Sequence, residues 1–270
     1  LGKATHKDAV AQLTNEHDNL RSALQWALEH AHSDAGLELA QAASLYWRLT
    51  GQSREGLQWF VHLFAQPSLV QNRALLARAY YQAMVLAWNM SDRDRVAAYY
   101  AEGLRLSQQQ GDRLTEADLY EAMASVAVTE AEMRALSEQA LAIYRELGAS
   151  GSRGAAFSTE HLASLASAAG DHQRASQLYA ECLTYFDGHG DLMHSADVMR
   201  KLAKSYFRQQ EYGAATRLYN AALHIYQTID DQQGVYLTQT HLGDIPLVNG
   251  NVSDAEAYYR SGLAGAWQFE

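Results

Sequence analysis

The sequence predicts an all-α chain, a solenoid of antiparallel helix pairs with a period of about 40 residues. Three observations predict it. Only two prolines, Pro67 and Pro246, interrupt 270 residues. A ladder of small, aromatic and leucine positions returns at a nearly constant spacing. Helix-stopping glycines stand directly before capping residues, as in Gly111-Asp112, Gly170-Asp171, Gly190-Asp191 and Asn249-Gly250-Asn251. An all-β chain, with a turn every ten residues or so, needs more breakers than this.

In chain order, residues 1–7 read as a linker or disordered lead. A chain that starts at Leu1, with neither signal peptide nor start methionine, is expected to be a piece of something longer. Val10, Leu13, Leu20, Leu24 and Leu28 then fall at helical spacing and predict one long helix within 8–33. That helix is expected to join the array to a missing upstream part. Ser33-Asp34 is a helix-start signal, and Leu37, Ala40, Leu45 and Leu49 carry the next helix to Gly51. Ser53 with Glu55 opens its partner, which bears Leu57, Phe60, Val61 and Phe64 and is closed by Pro67-Ser68. Helices and short turns alternate from there, and the expected pairs span about 34–66, 69–110, 113–148, 153–189, 192–230 and 233–268.

The repeat is explicit in Phe64, Leu104, Leu141, Leu183, Leu223 and Leu263, whose separations by subtraction are 40, 37, 42, 40 and 40. Four residues earlier stand Phe60, Tyr100, Ser137, Tyr179, Tyr219 and Tyr259. Four before those come Gly56, Val96, Met133, Ala175, Ala215 and Ala255. Leu162-Ala163, Leu202-Ala203 and Leu242-Gly243 repeat the period in the partner helices. A small residue lets the facing helix approach, and the Tyr and Leu one and two turns later fill the gap between hairpins. A hairpin with two apolar faces is unstable alone, so the stack is the fold. Pro246 falls inside the first helix of the last pair, where it is expected to kink or shorten it.

Composition removes several classes of function. Hydrophobic residues are 48% and charged ones 19%, enough apolar material for a core and too much for a disordered tail. The single cysteine, Cys182, excludes an internal disulfide and a cysteine-based zinc site, and fits a reducing, cytoplasmic compartment. No apolar run reaches the roughly 18 residues that span a bilayer. With 31 acidic and 21 basic side chains the formal charge is −10, which argues against direct nucleic-acid binding.

The register resembles tetratricopeptide repeats in a longer variant of about 40 residues, best over 153–267 and more loosely over 34–147. Met133 and Ser137 depart from its small and aromatic positions. At the N-terminus, the run from Asn15 to Glu29 resembles an E-x-D-N-L-R-x-A-L-x-W-A segment, and Gly51 with Glu55-Gly56-Leu57-Gln58-Trp59-Phe60 resembles a G-x-x-x-E-G-x-x-W-L stretch. Both belong to the signal-transduction ATPases with numerous domains, which include LuxR-type activators of the MalT kind. The resemblance implies a right-handed superhelix whose first helices line a concave groove. It also implies a sensor segment of a bacterial regulator that binds a protein, a peptide or a small inducer. No G-x-x-x-x-G-K-[ST] phosphate loop occurs in the chain, so nucleotide chemistry belongs to another part of such a protein, and no cofactor is implied.

On that geometry the candidate groove residues are Tyr81, Trp88, Asn89, Glu121, Glu160, Arg200, Lys204, Phe207 and Arg208. Arg200, Lys204 and Arg208, at i, i+4 and i+8, form one basic stripe on an acidic protein, suited to a carboxylate or an acidic peptide segment. The plain alternative is a solvated face that pairs with Glu160 or Asp197. Tyr46, Trp47, Tyr80, Tyr81 and Trp88 form an aromatic set suited to a groove or, for Trp47 with Tyr99 and Tyr100, to packing between repeats. Catalysis finds little support. The 11 histidines form no H-E-x-x-H, and His189 and His194 around Asp191 read as a solvated loop before a metal site. Cys182 reads as an inert, half-buried thiol. The reading is therefore a non-catalytic sensor or scaffold, with self-association as the alternative and a homo-oligomer as one form of it.

Overall fold

The computed structural model describes residues 6–65 and 71–266. Among them every regular element is a helix. The chain divides after Val126 into two compact units. The first holds α1 (His6–Asn15), α2 (His17–Glu29), α3 (Ser33–Leu49), α4 (Ser53–Phe64), α5 (Arg73–Asn89), α6 (Arg93–Gln110) and α7 (Arg113–Ser125). The second holds α8 (Glu130–Leu147), a short 3-10 turn (Gly148–Gly151), α9 (Ser152–Ala168), α10 (His172–Gly188), α11 (Leu192–Arg208), α12 (Tyr212–Thr228), α13 (Gln232–Val248) and α14 (Val252–Ala266). Within each unit every helix packs on its neighbours in sequence, and the architecture is a tetratricopeptide-like α-solenoid.

A 20-residue rhythm of left-handed turn residues sets the helix length. Positive φ occurs at Ala31 and Gly51, at Ser91 and Gly111, and at Gly170, Gly190, Gln210, Asp230 and Gly250. Within each of these runs the spacing by subtraction is 20. One residue in the left-handed region ends a helix by turning the chain away from its axis. The residue that follows then starts the next helix. Asp92, Asp112, Asp171, Asp191 and Asp231 each accept a hydrogen bond from the backbone N–H three positions on. A short carboxylate there satisfies an amide with no partner inside the helix and favours the positive end of its dipole.

Packing follows the ladder. Ala175 and Tyr179, and Ala215 and Tyr219, are buried, while Leu183 and Leu223 are half-buried against the same clusters. In the first unit Phe60 is fully buried and Phe64 stacks on Tyr80, ring centroids 4.1 Å apart. The small positions are small for a reason. A Cβ on Gly56 would overlap the Trp47 ring, and one on Gly234 would overlap the Tyr226 ring. Both aromatic rings are completely buried, so each glycine is the space its ring occupies.

Four expectations change. Where periodicity predicts one helix over 8–33, two helices meet at Glu16. Thr14 Oγ1 donates to the Val10 carbonyl at 2.8 Å in the turn before the break, a bond that competes with the helix ladder. Of the expected lead 1–7, residues 1–5 lie outside the described residues, and α1 already begins at His6. The expected pair 113–148 is divided, because α7 belongs to the first unit and α8 to the second. At 13 residues, α7 stops four short of the 17 of α5, α9, α11 and α13. Pro246 does not shorten α13, which keeps those 17 residues. The proposed closing signal Pro67-Ser68 lies outside the described residues.

Candidate partner-binding grooves

In the second unit α9 and α11 lie on either side of a groove of about 520 Å³. Its α11 wall carries Arg200, Lys201, Lys204 and Arg208, so the basic stripe expected from sequence does face one cavity. Ser164 and Tyr179 form part of the other side, their hydroxyls 3.0 Å apart. His172 also lines the groove, and its Nδ1 is buried with no hydrogen-bond partner.

The four cations are not equivalent. Arg200 Nη2 donates to Asp197 at 3.3 Å and its Nε to the Tyr226 hydroxyl at 3.4 Å. Tyr226 donates in turn to Asp197 at 2.7 Å. Burial opposes the Arg200 charge, but the bonds to Tyr226 and Asp197 outweigh it and hold the guanidinium above its ordinary pKa. Lys201 is ion-paired with Glu160. Lys204 and Arg208 are exposed and make no ion pair among the described residues. Two cations of this wall are thus neutralised internally, and two are open to a ligand.

Sequence reasoning missed Lys201. Glu160 and Arg200 each stand eight residues after the start of their helix, Ser152 and Leu192, so phase alone pairs them. A helical side chain covers the turn before its own Cα, so a surface spot is covered by the residue one position further on. That residue is Lys201.

The remaining predicted residues divide between grooves and packing. Phe207 is half-buried, its ring 5.5 Å from Tyr212, and serves the core of the second unit. In the first unit Tyr81 and Glu121 are half-buried, and Tyr81 packs on the hydrophobic core. Trp88 remains 41% exposed. Asn89 lines a cavity of about 490 Å³ with Arg48 and Arg54, and its Nδ2 lies 3.5 Å from Ser53 Oγ. Tyr46 and Trp47 are core residues, and Tyr80 and Tyr99 belong to the Phe64 ring cluster.

Two histidines flank the basic wall. His241 stacks on Tyr219 with centroids 5.5 Å apart and lies 3.5 Å from Asp244. Burial lowers its pKa, with Lys204 and Arg200 adding to the fall and Asp244 opposing it. Burial likewise lowers the pKa of His161, between the charges of Glu160 and Lys201. Cys182 donates to the Ala156 carbonyl at 3.3 Å, and burial pushes its thiol up, away from the reactive thiolate. His194 is held by Asp191 at 2.9 Å and His189 by the Tyr185 carbonyl at 2.7 Å, so the two rings serve separate turns. Among the described residues no three His, Cys, Asp or Glu side chains gather as a metal site, and no helix is long and apolar enough to cross a membrane.

Helices stacked on their neighbours within each unit, with open grooves and internally paired charges, define a helical-repeat module of tetratricopeptide type. No family model matches the sequence, and no curated protein matches it. Solved structures do match the fold. A signal-transduction ATPase with numerous domains from Pyrococcus horikoshii, which carries a tetratricopeptide-repeat sensor, superposes with a TM-score of 0.71 at 11% identity. The alignment covers 96% of this chain and 40% of that one, so the chain spans two fifths of that protein's length. The apo form of the quorum sensor NprR from B. thuringiensis gives 0.59 at 12% identity, over 96% of this chain and 83% of that one. A Rap protein complexed with competence and sporulation factor gives 0.55 at 15% identity, over 96% and 76%.

Proposed function

We propose that this chain is a non-catalytic sensor or scaffold segment that binds a partner protein or peptide through an acidic stretch seated on the α9–α11 groove. The observation that carries the reading is the pair Lys204 and Arg208, one helical turn apart in a groove, with no counter-ion among the described residues. A carboxylate placed there gains charge-assisted hydrogen bonds from two donors that give up no existing bond. A quorum sensor and a Rap protein complexed with a factor, both of the same fold, support a role in sensing. The N-terminal motif and the neighbour with a tetratricopeptide-repeat sensor support placement in a regulator of the signal-transduction ATPase class, and the motif and the single cysteine favour a cytoplasmic bacterial one.

Fluorescence anisotropy with labelled hexaglutamate tests the groove. Wild type is expected to bind, more weakly as salt rises, and Lys204→Glu with Arg208→Glu is expected to weaken binding at least tenfold. Equal affinity of the two proteins, or no binding by wild type, overturns the assignment.

A second reading, self-association, is favoured by the exposed Leu247, Val248, Val252, Tyr258 and Leu263 of α13 and α14. Light scattering over a rising concentration series separates the two. A strict monomer removes the second.

A further inference from the structure

The two motif segments of the first unit, separated by 34 residues at Arg21 and Glu55, converge on one groove of about 480 Å³. Arg21 and Gln25 come from α2, and Gln52, Gln58, Trp59 and His62 come from α4 and the residue before it. Apolar motif residues Leu20, Leu24, Leu57 and Phe60 are buried and account for packing. Of the others, Arg21, Gln25, Glu55, Gln58 and Trp59 line the groove.

Its chemistry differs from that of the second unit. Glu55 is its one carboxylate, and both oxygens are taken. Oε1 accepts from Arg21 Nε at 2.6 Å and lies 3.1 Å from His17 Nε2, while Oε2 accepts from Arg21 Nη2 at 2.7 Å. A ligand that relies on a carboxylate to grip paired hydroxyls, as a sugar would, finds none available. What remains is a run of amides and an indole, with the exposed Arg54 and His62 beside them. The Gln52 Oε1 atom is buried and has no hydrogen-bond partner, an acceptor that awaits a donor. Gln25 donates to Glu29 at 2.7 Å, which leaves its carbonyl oxygen open. Trp59 is half-buried, edge-on to His62. Each glutamine carries both a donor and an acceptor, which matches a peptide group whatever its side chain. The groove is also open to solvent, whereas small-molecule sites enclose most of their ligand.

We infer that the α2–α4 groove binds an extended polypeptide segment through its backbone, with the glutamines on the peptide groups and Trp59 under one apolar side chain. It is a second recognition surface, independent of the cationic groove.

Display of random dodecapeptides on the full 270-residue chain, followed by anisotropy with the selected peptides, tests this. The expected result is a set of peptides that Lys204→Glu with Arg208→Glu still binds. Those peptides should lose at least tenfold in affinity on Trp59→Ala and on Gln58→Ala. Gln58 is exposed, so the second variant remains informative if the first fails to fold, which circular dichroism reports. A backbone N-methyl scan of one such peptide should find at least one position that costs tenfold. The inference is overturned if no selected peptide depends on Trp59 or Gln58, if every N-methyl position is tolerated, or if the Trp59-dependent ligand is a neutral oligosaccharide. Loss of hexaglutamate binding alone bears only on the cationic groove.

Discussion

Ala31, Ser91, Gln210 and Asp230 adopt φ between 58° and 64° at turn positions where the other helix ends use glycine. A Cβ in the left-handed region costs roughly 1–2 kcal/mol, part of which glycine returns to the unfolded chain as entropy. Gln210→Gly is therefore expected to stabilise the second unit by about 0.5–1 kcal/mol, read as a higher denaturant midpoint at unchanged slope. The next residue offers a companion change. Glu211 precedes α12 without a side-chain cap, although aspartate caps the equivalent ends of α10, α11 and α13. Its extra methylene moves the carboxylate out of reach, so Glu211→Asp is expected to gain about 0.5–1 kcal/mol. The glycine–aspartate turns are legible in the sequence because glycine and aspartate advertise them. The turns at Ala31 and Gln210 have neither glycine nor a capping aspartate, and the 20-residue rhythm exposes them.

At the scale of elements, α2 is tied to the array by Leu20, Leu24 and Ala27 on one face and by Glu55 on another. The bond from Arg21, the largest influence, holds the Glu55 carboxyl below its ordinary pKa, and the His17 and Arg21 charges add to this against the opposing effect of burial. A carboxylate whose folded pKa is depressed stabilises above its unfolded value and loses that contribution as pH falls through the folded one. Glu55→Gln should speed amide exchange across Leu20–Glu29 at neutral pH while leaving α13 unchanged, and the difference from wild type should fade below about pH 4. Equal protection in both proteins at pH 7 would show that the apolar face alone holds α2. Periodicity located this face correctly and ran α1 and α2 together, because a hydrophobic repeat does not register a break made by polar residues at Asn15 and Glu16.

Across the whole molecule, protons act through His161 and His241. Both rings are half-buried and have pKa values below the ordinary value of 6.5. The unfolded chain then binds more protons than the folded one between those values, so stability rises with pH in that window. It is lost as pH falls from about 6.5 through the lower folded values. The melting temperature of wild type is expected to drop from pH 7 to pH 5.5 more steeply than that of a His161→Gln, His241→Gln variant. Equal slopes would place the titration elsewhere. The comparison matters because acidification also relieves the net charge of −10, which pushes in the opposite direction in both proteins.

Helix lengths, turn chemistry and the small–aromatic–leucine ladder were written in the sequence, since each depends on residues within a few turns of one another or one period apart. Tertiary structure decided which charges are spent and which are open. Arg200, Lys201, Lys204 and Arg208 look alike along the chain. Whether each meets a carboxylate depends on how its side chain leans, toward Asp197 on the same helix for Arg200 and toward Glu160, 41 residues away, for Lys201. For the same reason Glu55 reads as one more surface acid until α2 folds across it. Only then do Gln52, Gln58 and Trp59 become the wall of a groove, because a cavity is a property of the space between helices and not of any one of them.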